Sequence, residues 1–157
     1  MIMKRVVGVI GAGECDAQIA ALAEDVGARL ARQGLVVLTG GRGGVMAAAS
    51  RGARQAGGLT VGILPGQTHE GINPDVEIPI LTGLGEARNA VVACASEALV
   101  AIAGEYGTLS EMALALKMGR SVIGLRTWPL MKDVIVAENP EQAVQKVLDS
   151  LDMRQSC

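Results

Sequence analysis

The sequence predicts an α/β fold, doubly wound around a mainly parallel sheet with helices on both faces, and three observations carry the prediction. Short runs that are apolar on both faces alternate along the chain with longer helical patterns. The alternation β-α-β-α is sustained nearly throughout, and three of the junctions are glycine-rich turns. Half of the residues are hydrophobic, yet there is no Phe, one Trp and one Tyr, so the core must be built from Ala, Val, Leu, Ile and Met. With 157 residues the chain matches one domain, 1–157, since domains commonly hold about 100–150 residues.

The strand candidates are residues 5–10, 35–39, 60–64, 99–103 and 121–125, with a further edge strand near 134–137. Val, Ile and Leu recur on both faces of these runs, as strands covered by helices above and below require. Helical periodicity covers 17–33, 45–56, 86–98, 109–118 and 140–151, and Gly34, Gly57 and Gly119 stand where C-terminal caps belong. The last helix opens with Asn139 as N-cap, Pro140 at the first position and Gln142 three residues after the cap. One stretch breaks the rhythm. Residues 65–85 carry Pro65, Gly66, Gly71, Pro74, Pro79, Gly83 and Gly85, too many breakers for a simple connector, and read as a functional loop overhanging a crevice.

The formal net charge of −2, with signs mixed along the chain, leaves no basic stripe and excludes a nucleic-acid polymer as the expected partner. Cys15, Cys94 and Cys157 are odd in number and lack Cys-x-x-Cys spacing, which argues against a disulfide framework and a zinc site. His69 has no His or Cys companion at metal spacing, so no metal is expected. The apolar stretch 90–103 is broken by Ser96 and Glu97 and falls short of the roughly 20 residues of a membrane span. After Lys4 and Arg5 the first apolar run is too short for a secretion signal. A cytoplasmic protein without a membrane partner is the expectation.

Three strand ends run into glycine turns that open helical patterns: Gly11-Ala12-Gly13, Gly40-Gly41-Arg42-Gly43-Gly44 and Gly104-Glu105-Tyr106-Gly107-Thr108. Glycine lets backbone approach a ligand closely, and free N–H groups at a helix start, with the helix dipole, favour an anion such as phosphate. In an open parallel sheet such turns share a crevice outside the carboxyl ends of the strands, where strand order reverses. Arg88 and Asn89, just after the 65–85 loop, are expected to face the same ligand. The turns are not a dinucleotide fingerprint: Gly11-x-Gly13 continues to Asp16, and the second strand ends in Thr39 rather than an acidic residue. They are not a P-loop either, because no lysine follows a glycine at the required spacing.

The pair Gly40-Gly41-Arg42-Gly43-Gly44-Val45-Met46 and Gly104-Glu105-Tyr106-Gly107-Thr108-Leu109-Ser110-Glu111 resembles the two glycine loops of the LOG-like superfamily, whose members are often mislabelled lysine decarboxylases. The resemblance continues through Gly62-Ile63-Leu64-Pro65-Gly66 and Ile78-Pro79-Ile80-x-Thr82-Gly83-x-Gly85-x-Ala87-Arg88-Asn89, and so spans about residues 6–125. It implies a Rossmann-like domain, and the chain is most similar to the short branch that includes molybdenum-cofactor carrier proteins. In that branch the resemblance implies binding of a phosphate-bearing pterin without turnover. In the hydrolase branch it implies cleavage of the N-glycosidic bond of a nucleoside 5′-monophosphate, with Arg88 contacting substrate and Glu111 acting at the ribose. The hydrolases' P-G-G-x-G-T-x-x-E departs here to Ala103 and Glu105, and their E-R-K to Ala87-Arg88-Asn89.

Carrier, phosphoribohydrolase and non-catalytic regulatory subunit therefore stand open at the level of sequence, with no cofactor required beyond a bound nucleotide or molybdopterin-type ligand. Lysine decarboxylation is disfavoured, since it normally needs a Schiff-base lysine and none lies in a glycine loop. Thr108-x-x-Glu111 also fits a capping box, and both readings of Glu111 remain. Arg42 either folds over a phosphate or decorates the loop. Tyr106 either stacks on a base or pterin or packs on its own turn. Cys15 follows a glycine turn near a helix start, where its pKa is lowered or the thiol is buried and inert. Apolar residues on more than one face of the 86–98 helix lead to an expected homodimer or higher oligomer.

Overall fold

A computed structural model describes residues 1–129 and 132–155. The elements follow as β1 (Val6–Gly11), α1 (Ala17–Arg32), β2 (Val36–Thr39), α2 (Val45–Gln55), β3 (Thr60–Leu64), β4 (Ile78–Leu81), a 3-10 turn (Gly85–Ala87), α3 (Arg88–Ala95), β5 (Ala98–Ile102), α4 (Tyr106–Lys117), β6 (Ser121–Leu125), β7 (Ile135–Ala137) and α5 (Pro140–Gln155). The seven strands form one sheet in the order β4-β3-β2-β1-β5-β6-β7, and every pairing is parallel. This is a Rossmann-like doubly wound α/β fold. The interior strand β5, next to the middle strand β1, is buried along its whole length, which explains why its sequence, Ala-Leu-Val-Ala-Ile, shows no alternation.

The two faces bury separate apolar layers. On one side α1 packs on α2 and α5 over Val7, Val9, Val37, Val100 and Ile102. On the other α3 packs on α4 over Ile10, Leu38, Ile63, Leu99 and Met112. Small residues bring α1 and α2 unusually close: a methyl group on Gly27 would overlap the Ala49 carbonyl, and one on Gly52 would overlap the Glu24 carbonyl. The aromatic-free core is thus compensated by short approach between backbones.

Gly34, Gly57 and Gly119 adopt φ of +75°, +77° and +71°, the left-handed geometry of the expected helix caps. The Asn139 side chain accepts the Gln142 N–H at 2.9 Å, as expected, while the Gln142 side chain reaches back to the Glu138 N–H at 3.2 Å rather than to the cap residue. Three sequence expectations change. Within 65–85 lies a seventh strand, β4, paired in register from Val61↔Ile78 to Leu64↔Leu81; its proline and flanking breakers concealed it, and an edge strand tolerates Pro79 because one side needs no ladder bond. The helix expected over 86–98 is only Arg88–Ala95, ending at Ser96, whose hydroxyl donates to the Val92 carbonyl. Its solvent side then shows only Cys94 and Ala95, whereas larger exposed aliphatics, Ile78, Ile80, Leu81 and Leu84, gather along β4 and the turn after it. Cys157 lies outside the described residues.

Candidate functional site

The chain leaves β1 towards β2, builds outward to β4, and returns to β5 on the opposite side of β1. Strand order therefore reverses between β1 and β5, and a cavity of about 380 Å³ opens there at the carboxyl ends of the strands. The turn after β1 contributes Gly11, Ala12, Gly13 and Glu14; the turn after β2 and the start of α2 contribute Gly40 and Met46. Glu86, Arg88 and Asn89 enter from the start of α3, and Glu105, Gly107, Thr108 and Glu111 from the start of α4. The three glycine turns do converge, as a parallel sheet with a switch point requires.

Gly41, Arg42, Gly43, Gly44 and Gly104 stand behind this lining. Gly44 has φ of +60° and presses on the Ala12 carbonyl where a Cβ would overlap it, and the Val45 N–H donates to that same carbonyl at 2.9 Å. The β2–α2 turn is in this way fastened to the β1–α1 turn. Arg42 points elsewhere: its guanidinium lies against Gly71, and its carbonyl accepts the Asn73 side-chain amide at 2.9 Å. It braces the 65–85 segment.

Helix starts supply donors. At α1 the Asp16 side chain accepts the Ile19 N–H at 2.9 Å, but the caps of α2 and α4, Gly44 and Glu105, make no side-chain capping bond. Apart from the Val45 N–H, which the Ala12 carbonyl accepts, the first-turn N–H groups of α2 and α4 are left for an incoming acceptor. The helix α4 begins at Tyr106, three residues before the expected start, because the chain turns sharply at Ala103 and Gly104, with φ of +50° and +100°. This overturns the capping-box reading. Thr108 and Glu111 both lie within the helix and are buried at 4 % and 7 % exposure, so neither caps it.

Arg88 and Glu111 are the charged pair of the pocket. One Arg88 amino group donates to the Gly40 carbonyl and, at 2.6 Å, to the Ile63 carbonyl, so the guanidinium ties the ends of β2 and β3 to α3. Its Nε is buried with no hydrogen-bond partner. Burial lowers the Arg88 pKa, while Glu111 and Glu86 oppose the shift. Burial pushes the Glu111 carboxyl up from its ordinary 4.5 to about 7, against the pull of Arg88. Burial therefore favours the protonated carboxyl well above the usual carboxylate range. It can donate or accept a proton in a hydrogen bond to a ligand.

The pocket gathers Gly11, Gly13, Gly40, Arg88, Asn89, Gly107, Thr108 and Glu111 from the residues expected on sequence grounds. Sequence reasoning did not single out Glu14 as a lining residue, though it directly follows the first glycine turn. Glu14, Glu86 and Glu105 are exposed at the rim, and together with Glu111 they make the lining rich in acceptors. Cys15 is half-buried against the α1–α2 core layer, and burial followed by Asp16 raises its pKa, the opposite of an activated thiolate. His69 is exposed, and among the described residues no cluster of three or more His, Cys, Asp or Glu side chains could hold a metal ion. No helix among the described residues is long and apolar enough to cross a membrane.

Comparison with known proteins bears on this geometry. Residues 4–155 match the SLOG cluster4 family. An uncharacterised protein of Archaeoglobus fulgidus is 43 % identical over 144 residues, covering 92 % of this chain and 95 % of its own. The molybdenum cofactor binding protein of Rippkaea orientalis superposes with a TM-score of 0.91 at 37 % identity, covering 96 % of this chain and 99 % of that one. The molybdenum cofactor carrier protein of Chlamydomonas reinhardtii superposes with a TM-score of 0.89 at 38 % identity, over the same shares of both chains. With the family matched over nearly the whole chain, the fold shared, and the paired glycine loops meeting at the switch point, the protein belongs to the SLOG cluster4 family of the LOG-like superfamily.

Proposed function

We propose that this protein is a carrier that binds a phosphate-bearing pterin of the molybdenum-cofactor type in the switch-point pocket and does not turn it over. The observation that carries the reading is the pocket itself: two helix starts without side-chain caps and glycine-lined turns converge on one cavity of small-ligand size. Those backbone N–H groups would hold the phosphate. A pterin adds an amino group and ring N–H groups, which match the acceptors Glu14, Glu86, Glu105 and Glu111 that a bare phosphate would not want. The similarity to proteins described as molybdenum cofactor binding and carrier proteins supports the same ligand class.

A phosphoribohydrolase needs an ionised carboxylate beside the developing ribosyl cation. Here burial favours the protonated form of Glu111, and Ala103 and Glu105 replace the proline and glycine of the hydrolase loop. Both features favour binding over hydrolysis. The test incubates the purified protein with molybdenum cofactor released from a molybdoenzyme, desalts it, and measures retained molybdenum and pterin. A parallel incubation with a panel of nucleoside 5′-monophosphates follows free base by chromatography, with Glu111→Gln as control. Stoichiometric retention of intact pterin and no free base is the expected result. Base release that disappears in Glu111→Gln would replace the carrier reading with a phosphoribohydrolase, and neither retention nor release would leave a regulatory subunit.

A further inference from the structure

The chain holds one Tyr, one Trp and no Phe; Tyr106 stands clear of the core, and Trp128 is half-buried against the edge of one core layer. The fold stacks them on one another at the carboxyl end of the sheet, with Tyr106 and Trp128 ring centroids 6.0 Å apart and 30° between planes. Tyr106 is 81 % exposed. Trp128 is held there by its indole N–H, which donates to the Glu105 carbonyl at 3.3 Å, and by its neighbour Thr127, whose hydroxyl donates to the Ala103 carbonyl at 2.6 Å. Both bonds fasten the segment after β6 to the turn that opens α4.

Beside this stack lies a second crevice of about 350 Å³, bounded by Ala103, Gly104, Arg126, Thr127, Trp128 and Pro129. It lies between the ends of β5 and β6, whereas the switch-point pocket lies between those of β1 and β5. The turn 103–107 is common to both: Ala103 and Gly104 line the second crevice, Glu105 and Gly107 the first. The uncapped N–H groups of α4 begin on this shared turn. Arg126 adds a cation at the far crevice.

We propose that the second crevice is a ring-binding subsite, in which Tyr106, Trp128 and Arg126 receive the flat heteroaromatic ring at the far end of a dinucleotide-type ligand. The inference rests on the pocket reading above and extends it. A pyrophosphate straddling the start of α4 places one ring system among the acceptors of the switch-point pocket and the other on the aromatic pair. Stacking on an exposed aromatic tolerates any base, and a neighbouring arginine strengthens it. An exposed tyrosine stacked on a half-buried tryptophan, in a protein that otherwise builds without aromatics, is explained by this use.

Isothermal titration calorimetry with guanosine 5′-monophosphate and with diguanosine 5′,5′-diphosphate tests the subsite, and quenching of the single Trp128 provides a second readout. In the wild-type protein the dinucleotide is expected to bind about tenfold more tightly than the mononucleotide, the gain that one stacked ring supplies. Only the dinucleotide should quench Trp128. The gain is expected to vanish in Tyr106→Ala, to survive in Tyr106→Phe, and to leave mononucleotide affinity unchanged in both, with unchanged melting temperatures showing that the variants fold. Mononucleotide binding with no dinucleotide gain, or a gain that persists in Tyr106→Ala, overturns the subsite and leaves the pocket reading intact. Binding of neither ligand also overturns the subsite, while the pocket reading falls only if the pterin-retention assay fails as well.

Discussion

Glu111→Gln is expected to stabilise this protein increasingly as pH rises from about 4.5 to about 7 and to leave it unchanged below that window. Glu111 is 7 % exposed, and burial raises its carboxyl from 4.5 to about 7. Between those values the folded chain keeps a proton that the unfolded chain has released. Stability from this group is therefore complete below about pH 4.5 and is lost as pH rises through about 7. At about 1.4 kcal/mol per pKa unit the loss amounts to about 3 kcal/mol as an upper figure. Glutamine keeps the shape and cannot ionise, so it removes that loss. Urea unfolding of both proteins at pH 4.5, 6, 7 and 8 isolates the effect, because other titrating groups cancel in the difference. The two should coincide at pH 4.5 and diverge to as much as about 3 kcal/mol in favour of the variant at pH 8. A difference that does not change with pH would refute the reasoning, since it would mean that Glu111 titrates alike in the folded and unfolded chains.

Two further substitutions test the frame around the pocket. Arg88→Met removes the donor shared by the Gly40 and Ile63 carbonyls and should cost about 1–3 kcal/mol in urea unfolding; unchanged stability would show that the guanidinium is not a strut. Gly52→Ala improves intrinsic helix propensity by about 1 kcal/mol, yet the added methyl overlaps the Glu24 carbonyl. Net destabilisation of about 1–3 kcal/mol and a lower Tm are expected, and a raised Tm would mean that α1 and α2 separate at little cost.

Much of this molecule is written locally in its chain. The buried strands announce themselves as apolar runs because a parallel sheet covered on both faces leaves no solvent side to encode, and the caps at Gly34, Gly57 and Gly119 follow from backbone geometry that glycine adopts most easily. The glycine turns and the residues of the paired loops were legible for the same reason, as was the family they resemble. The β4 strand was hidden by Pro79, which is tolerated only because its position is at an edge, a property of the whole sheet and not of the segment. The sequence pattern places the start of α4 three residues late, since the turn that launches it uses a non-glycine residue, Ala103, with φ of +50°. The direction of Arg42 and the grip of Arg88 on two strand ends depend on neighbours 25 to 48 residues away in sequence. The raised pKa of Glu111 likewise comes from burial, which no spacing encodes. Sequence alone determined the alternation of elements and the glycine turns, because these are short-range consequences of hydrophobic period and backbone freedom. Only the tertiary structure decided which charges meet, which protons are held and where the two rings stand, because each is fixed by contacts between segments distant along the chain.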